Sequence, residues 1–240
     1  MFQGFTDETF EFFMAIGFNN NTEFFHDNHD WYLRAVRQPC LELAGALSEV
    51  IEEIDDDLDR RPNRAVSRLN RDIRFSRDKS PYRDYMWISF HRPMERLNFH
   101  EVRDPMPGFY FDISASSSSF GMGSYGENRP LMNGLRRRLI NEPETFLEAL
   151  RPTLNDFTRY MDGFKRMKQP ENLRPEVADW YPVRSFYLQH DIGDLSLLKS
   201  PELVAVIAEG YRKLKPLYRY LVSIQPEAEE DRTREKPEGI

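Results

Sequence analysis

The sequence predicts an α+β fold, a mainly antiparallel sheet packed with helices from the N-terminal and C-terminal parts of the chain. Apolar residues recur at helical spacing in the first quarter and again after residue 130. Between them, short apolar runs are separated by turn residues, without the regular strand-helix alternation that builds a parallel sheet. At 240 residues the chain can bury a sizeable core, and with no Gly/Ser or Pro linker dividing it, residues 1–225 are expected to form one domain. Eighteen Phe and eleven Tyr imply a core built on rings, with some Tyr hydroxyls finding partners or reaching water.

The first helix follows from Thr6 as a cap, Asp7 and Glu8 at the positive end of the dipole, and Phe10, Phe13, Met14 and Gly17 at helical spacing. Asn19, Asn20 and Asn21 stop it. Thr22 then caps a second helix with Phe25, Tyr32, Val36, Cys40, Leu43, Leu47, Val50 and Ile54 on one stripe. Pro39, lacking an amide donor, is expected to kink or divide that helix. Glu52, Glu53, Asp55, Asp56, Asp57 and Asp59 crowd its negative end, so the chain should fade there into a solvated loop. Strands are predicted over 65–70, 85–91, 108–113 and 118–125; the mostly apolar run 85–90 reads as a central strand covered on both faces, and Pro105 and Pro107 hold the approach to Gly108 extended.

Helices resume at Pro130, with Leu131, Leu135, Leu139 and Ile140 on a stripe, and at Pro143, running through Phe146, Leu147 and Leu150. Residues 165–180 read as polar loop and 185–191 as a last strand. Ser200 and Pro201 open a final helix through Leu203, Ile207, Tyr211 and Leu214, which Pro216 interrupts. The acidic tail 226–240 has almost nothing to bury and is expected to be disordered.

Charge and cysteine usage narrow the function classes. A net charge of -7 and a pI near 5.4 argue against a nucleic acid partner, since nonspecific duplex binding depends on distributed positive charge. Cys40 is the single cysteine, which rules out an internal disulfide or a multi-cysteine zinc site and fits a cytoplasmic location. The opening MFQGFTDETF lacks a basic region followed by an apolar stretch, and nowhere do roughly 18 apolar residues run together, so neither export nor membrane insertion is expected.

Against that acidic background, the stretch from Arg64 to Arg83 sets seven cations against only Asp72 and Asp78. Arg71, Arg74 and Arg77 recur every three residues, a spacing that projects one face of an extended segment and drifts around the axis of an α-helix. Asp72 and Asp78 would orient guanidinium forks, Ser76 and Ser80 could donate hydroxyls, and Lys79 would supply a mobile point charge. Pro81 keeps Ser80 out of helical backbone, and Tyr82 and Phe75 could lay a ring against a ligand. On one reading, Arg71, Arg74, Arg77, Lys79 and Tyr82 bind an anionic small molecule, phosphorylated or carboxylated, possible substrate of an enzyme. On the other, the arginines are structural, paired with the acidic stretch 52–59, and the protein is a noncatalytic interaction module. Catalysis of phosphoryl chemistry would also need metal-holding carboxylates; Asp72, Asp78, Asp84 and Asp104 are present without a diagnostic spacing.

Weaker patterns are outweighed by plainer readings. His26 and His29 sit three residues apart, as two metal ligands on one helix would, but a zinc site needs further ligands, the cysteine lies elsewhere, and Asp27 and Asp30 read equally as a wet polar face, so no metal is expected. His91, His100 and His190 stand alone, without a nucleophile elbow. Cys40 falls on an apolar stripe and reads as core. Gly121, Gly123 and Gly126 spell a dinucleotide fingerprint, yet the run from Ser114 to Tyr125 reads as hairpin and strand instead of a strand opening a helix. Nothing in the sequence specifies a cofactor, a reaction or an oligomeric state.

Several of these residues also carry a resemblance. Phe2-x-Gly4-Phe5, the three asparagines followed by Phe24, Phe25 and Tyr32, the block RDIRFSRDKSPY from Arg71, Pro107-Gly108-Phe109-Tyr110 and the loop from Phe164-Lys165-Arg166 resemble, in order and up to about Ile224, a widespread family of bacterial and fungal proteins classed as a domain of unknown function. That family usually has Trp-Phe where this chain has Phe24-Phe25. The resemblance implies a single-domain intracellular protein and brings no catalytic residue with it.

Overall fold

The computed structural model describes residues 1–74, 77–93, 96–98, 101–102, 106–124 and 126–224. Phe75, Ser76, His100, Asp104, Pro105, Tyr125 and the tail 226–240, all given roles above, lie outside the described residues. The helices are α1 (Asp7–Phe18), α2 (Thr22–Asp27), α3 (His29–Tyr32), α4 (Gln38–Ile54), α5 (Pro62–Ala65), α6 (Arg129–Asn141), α7 (Pro143–Leu150), α8 (Leu195–Leu198) and α9 (Leu203–Val222). The strands are β1 (Tyr85–Phe90), β2 (Arg96–Asn98), β3 (Glu101–Val102), β4 (Gly108–Ser114), β5 (Ser118–Ser124), β6 (Thr158–Gly163) and β7 (Val183–Asp191). Five strands hydrogen-bond in the order β1-β4-β5-β7-β6, with β1 antiparallel to β4 and β6 antiparallel to β7, while β2 and β3 form a separate pair. This is the α+β fold that the sequence predicts. Among the described residues no helix is long and apolar enough to cross a membrane.

By contacts the chain divides into two compact units. The first comprises Met1–Phe90, Phe109–Phe120 and His190–Tyr211, and the second His91–Gly108, Gly121–Gln189 and Arg212–Ile240.

In the first unit, α1 starts at Thr6 as its acidic first turn requires, and the Thr9 hydroxyl accepts the Thr6 amide at 3.2 Å. Just ahead, Gly4 has φ +108°, and a Cβ there would lie 2.2 Å from the Lys199 carbonyl oxygen, so only glycine fits. The second helix is capped by Asn21, not Thr22: the Asn21 side chain accepts the Phe24 amide at 2.8 Å. It breaks at Asn28 and passes through a π-helical turn, Leu33–Arg37, immediately before Pro39. Past the proline, α4 buries Cys40, Leu43, Leu47, Val50 and Ile54, the predicted stripe.

Two strand expectations need correction here. Residues 65–70 make only isolated bridges, Val66 to Ile88 and Asn70 to Tyr82. The ladder stops because the Ser67 hydroxyl takes the Trp87 amide at 3.1 Å, a place a main-chain carbonyl would fill. β1 is an outer strand of the sheet: Met86, Ile88 and Phe90 are buried, whereas Tyr85 is exposed and Trp87 and Ser89 half-buried.

In the second unit, Asn128 caps α6 by accepting the Leu131 amide at 2.9 Å, and Leu131, Leu135 and Leu139 are buried as predicted. Trp180 packs edge-on to Phe146 at 5.1 Å and to Phe186 at 5.2 Å. It arrives on a 3-10 turn, Pro175–Trp180, inside the predicted loop. β6 was not expected. α9 begins in the first unit, ends in the second, and runs straight through Pro216. The lost hydrogen bond is outweighed by burial of Leu214, Leu217, Tyr218 and Leu221 on one face.

Candidate functional site

The basic block forms a loop closed at its neck. The Arg71 amide donates to the Pro81 carbonyl at 2.8 Å and the Arg83 amide to Leu69 at 2.9 Å, so the chain enters and leaves side by side. Asn20 then grips the neck from 62 residues away: its Nδ2 donates to the Tyr82 carbonyl at 2.9 Å, and its Oδ1 accepts the Tyr82 amide at 3.0 Å. The Arg83 guanidinium donates to the carbonyls of Arg68 at 2.7 Å and Asn70 at 2.6 Å while lying 4.5 Å from the Trp87 ring centre. The Tyr82 ring points away from solvent, 6% exposed and 4.3 Å from the Phe25 ring.

Within the loop, each acid answers a base. Arg74 forms a fork with Asp72, Nε at 3.0 Å and Nη2 at 2.8 Å, and these bonds hold the Asp72 carboxyl down at about 2. Arg71 pairs with Asp78, whose pKa is lowered first by the Ser80 contacts and then by Arg71. Lys79 donates to the Ile73 carbonyl at 2.8 Å. Arg77 is exposed and has no partner among the described residues. The four cations exceed the two acids of residues 71–80, and the surplus is displayed to water on a fixed base.

Within the acidic stretch 52–59, Asp59 answers Arg64, the first cation of the basic stretch, at 3.3 Å and Arg61 at 2.5 Å, while Glu52 meets Arg60 at 2.7 Å. The Arg61 hydrogen bonds hold Asp59 down at about 2. His26 and His29 fall on different helices, and His29 stacks edge-on against Phe25 at 5.5 Å. Among the described residues no three His, Cys, Asp or Glu side chains gather as metal ligands. Burial pushes the Cys40 thiol up to about 12, the behaviour of a core residue. Gly123 lies within β5, where a Cβ would stand 2.4 Å from the Phe186 carbonyl and 2.5 Å from the Tyr187 Cα; strand packing explains that glycine without a nucleotide.

One participant in the loop's neck, Asn20, escaped the sequence reading. It read only as a helix stop, although three successive asparagines are more than a stop needs. Asp112 lies in β4; its Oδ2 accepts the Ser119 hydroxyl at 2.6 Å, and burial raises its pKa, with Asp191 adding to the effect. Asp112 stands opposite Trp87 in the ladder.

Fold and loop together define an α+β protein that displays a braced cationic loop on its surface. The sequence matches the family described as conserved hypothetical protein (DUF2461) over residues 8–220, and the chain belongs to that family. The match spans nearly all of the region in which the sequence resembled such a family. No curated protein matches the chain.

Proposed function

We propose that this cytosolic protein binds a phosphorylated or carboxylated small ligand at the loop 71–81, with Arg71, Arg74, Arg77 and Lys79 as the cations. Tyr82, with its ring in the core, fixes the loop's end through the Asn20 grip. The observation that supports this most is Arg77, an exposed guanidinium without a partner among the described residues, in a loop whose other cations are held in place. The buried, unpaired Cys40 fits a reducing compartment. No reaction is assigned to the loop.

A thermal-shift series with inorganic phosphate, pyrophosphate and citrate tests the reading. Saturating anion, at about 100 times Kd, should stabilise the wild type by about 2.7 kcal/mol. Arg77→Ala and Lys79→Ala should keep the unliganded melting temperature and lose the anion effect. A wild type indifferent to all three anions defeats the reading.

The Arg71–Asp78 and Arg74–Asp72 pairs favour a second reading, in which the block is structural and the protein a noncatalytic interaction module. Arg71→Ala would then lower the melting temperature markedly with or without anion.

A further inference from the structure

β6 is an unusual edge strand. It pairs with β7 on one side only, from Thr158 opposite Gln189 to Gly163 opposite Val183, and among the described residues no strand lies along its other side. Every residue from Thr158 to Asp162 is exposed, on both faces of the strand, including Tyr160 at 39% and Met161 at 37%. Such an edge presents a row of unmet amides and carbonyls, and proteins usually blunt it. β1, the other outer strand, is blunted in that way by the Val66 bridge and the Ser67 hydrogen bonds. β6 carries no proline, and its flank is aromatic: Tyr160 stacks on Tyr187 with ring centres 4.8 Å apart.

The end of this edge is strongly basic. The Phe164 amide bonds to the Pro182 carbonyl at 2.9 Å, so the following loop leaves directly from the strand. Lys165, Arg166 and Lys168 on that loop are exposed and have no carboxylate partner among the described residues. Phe164, 41% exposed, has the Arg136 guanidinium 5.7 Å and the Arg184 guanidinium 5.3 Å from its ring centre. Arg184 is balanced by Asp162, but Arg136 donates only to neutral oxygens: Tyr181 carbonyl at 2.8 Å, Val183 carbonyl at 2.7 Å and Asn133 Oδ1 at 2.8 Å. Three cations, Lys165, Arg166 and Lys168, therefore lack an acid beside an edge that has no neighbouring strand among the described residues, whereas Arg136 has Glu127 within electrostatic reach.

We propose that β6 takes up an extended, acidic segment of a partner protein as an added strand. Main-chain hydrogen bonds to the open edge supply the attachment, Tyr160 and Met161 offer apolar contacts on alternate faces, and acidic side chains of the incoming segment meet Lys165, Arg166 and Lys168. Charge sets the choice of partner, since a basic or neutral strand would leave those cations unanswered. This surface is separate in its residues from the loop 71–81 and does not depend on that loop binding an anion.

The test uses the full chain and a labelled hexapeptide, Glu-Val-Glu-Val-Glu-Val, read by fluorescence anisotropy. Saturable binding is expected, weakened about tenfold or more by combined Lys165→Ala, Arg166→Ala and Lys168→Ala, and unchanged by Arg77→Ala. The same peptide with alternate amides N-methylated should fail to bind, a control that leaves the protein untouched. Equal binding of the N-methylated peptide, or of a peptide with lysine for glutamate, overturns the proposal. So does absence of binding, and if the protein alone then sediments as a dimer, the edge belongs to a second copy.

Discussion

The Thr9 hydroxyl donates to the carbonyl oxygen of Ala35 across 2.6 Å, inside the core. Ala35 lies four residues before Pro39, so the regular helical partner of this carbonyl would be an amide that proline does not have. The π-helical turn and the break expected at Pro39 are thus completed by a side chain from α1, which also accepts the Thr6 amide.

Thr9→Val keeps the shape and removes the donor. It should destabilise the protein by about 1–3 kcal/mol, the cost of a buried unsatisfied carbonyl. Urea unfolding measures it, and a change within a few tenths of a kcal/mol would show that Ala35 has another donor.

Asn20→Ala should loosen the loop neck without touching its charges. Amide hydrogen exchange at Tyr82 and Arg71 should speed up by about 5- to 30-fold, following the loss of a net hydrogen-bond contribution of about 1–2 kcal/mol. Exchange at α4 amides should stay unchanged, because the Asn20 side chain bonds to Tyr82 and not to that helix.

Acid titration separates the loop's ion pairs from the rest. Because the Arg74 fork lowers the folded pKa of Asp72 to about 2, its contribution is fully present above the ordinary carboxyl range and is lost as pH falls through about 2. Carboxyl NMR should show Asp72 titrating near pH 2, and Arg74→Ala should move it up towards about 3.9. Both side chains are exposed, so global stability should change little.

Gly123→Ala should be strongly destabilising, by about 3 kcal/mol or more, because the new methyl meets the Phe186 carbonyl and the Tyr187 Cα, which are backbone and cannot swing aside. Calorimetry tests this, and a variant as stable as the parent would remove the packing account of that glycine.

Cys40 offers a probe of unfolding. With the thiol buried and pushed up to about 12, a disulfide reagent at pH 8 should label the native protein only at the rate of opening, and the denatured protein at once. Immediate native labelling would contradict the burial.

Helices with one buried stripe were plain in the sequence: Leu43, Leu47 and Val50 on α4, and Leu131, Leu135 and Leu139 on α6, all face the core. The π turn stayed hidden because Tyr32, Val36 and Cys40 remain in phase across it, all buried. β6 left no signal because none of Thr158 to Asp162 is buried, so no alternation is imposed on its sequence. The basic loop announced itself through sign reversal and Pro81. Its neck did not, since the grip comes from Asn20, distant in the chain; Asp72 and Asp78 do orient guanidinium groups as the sequence suggests, but even spacing does not say which arginine each one claims.

The first unit is assembled from three separate stretches of chain, the last of which ends at Tyr211. Gly4 needs Lys199 as its wall, the Phe5 amide needs the Leu198 carbonyl, and Phe120 needs the rings of His190 and Tyr211. During synthesis, Gly4 and Phe5 must therefore wait for Leu198 and Lys199, far along the chain, leaving their aromatic surroundings unclosed until that stretch has emerged.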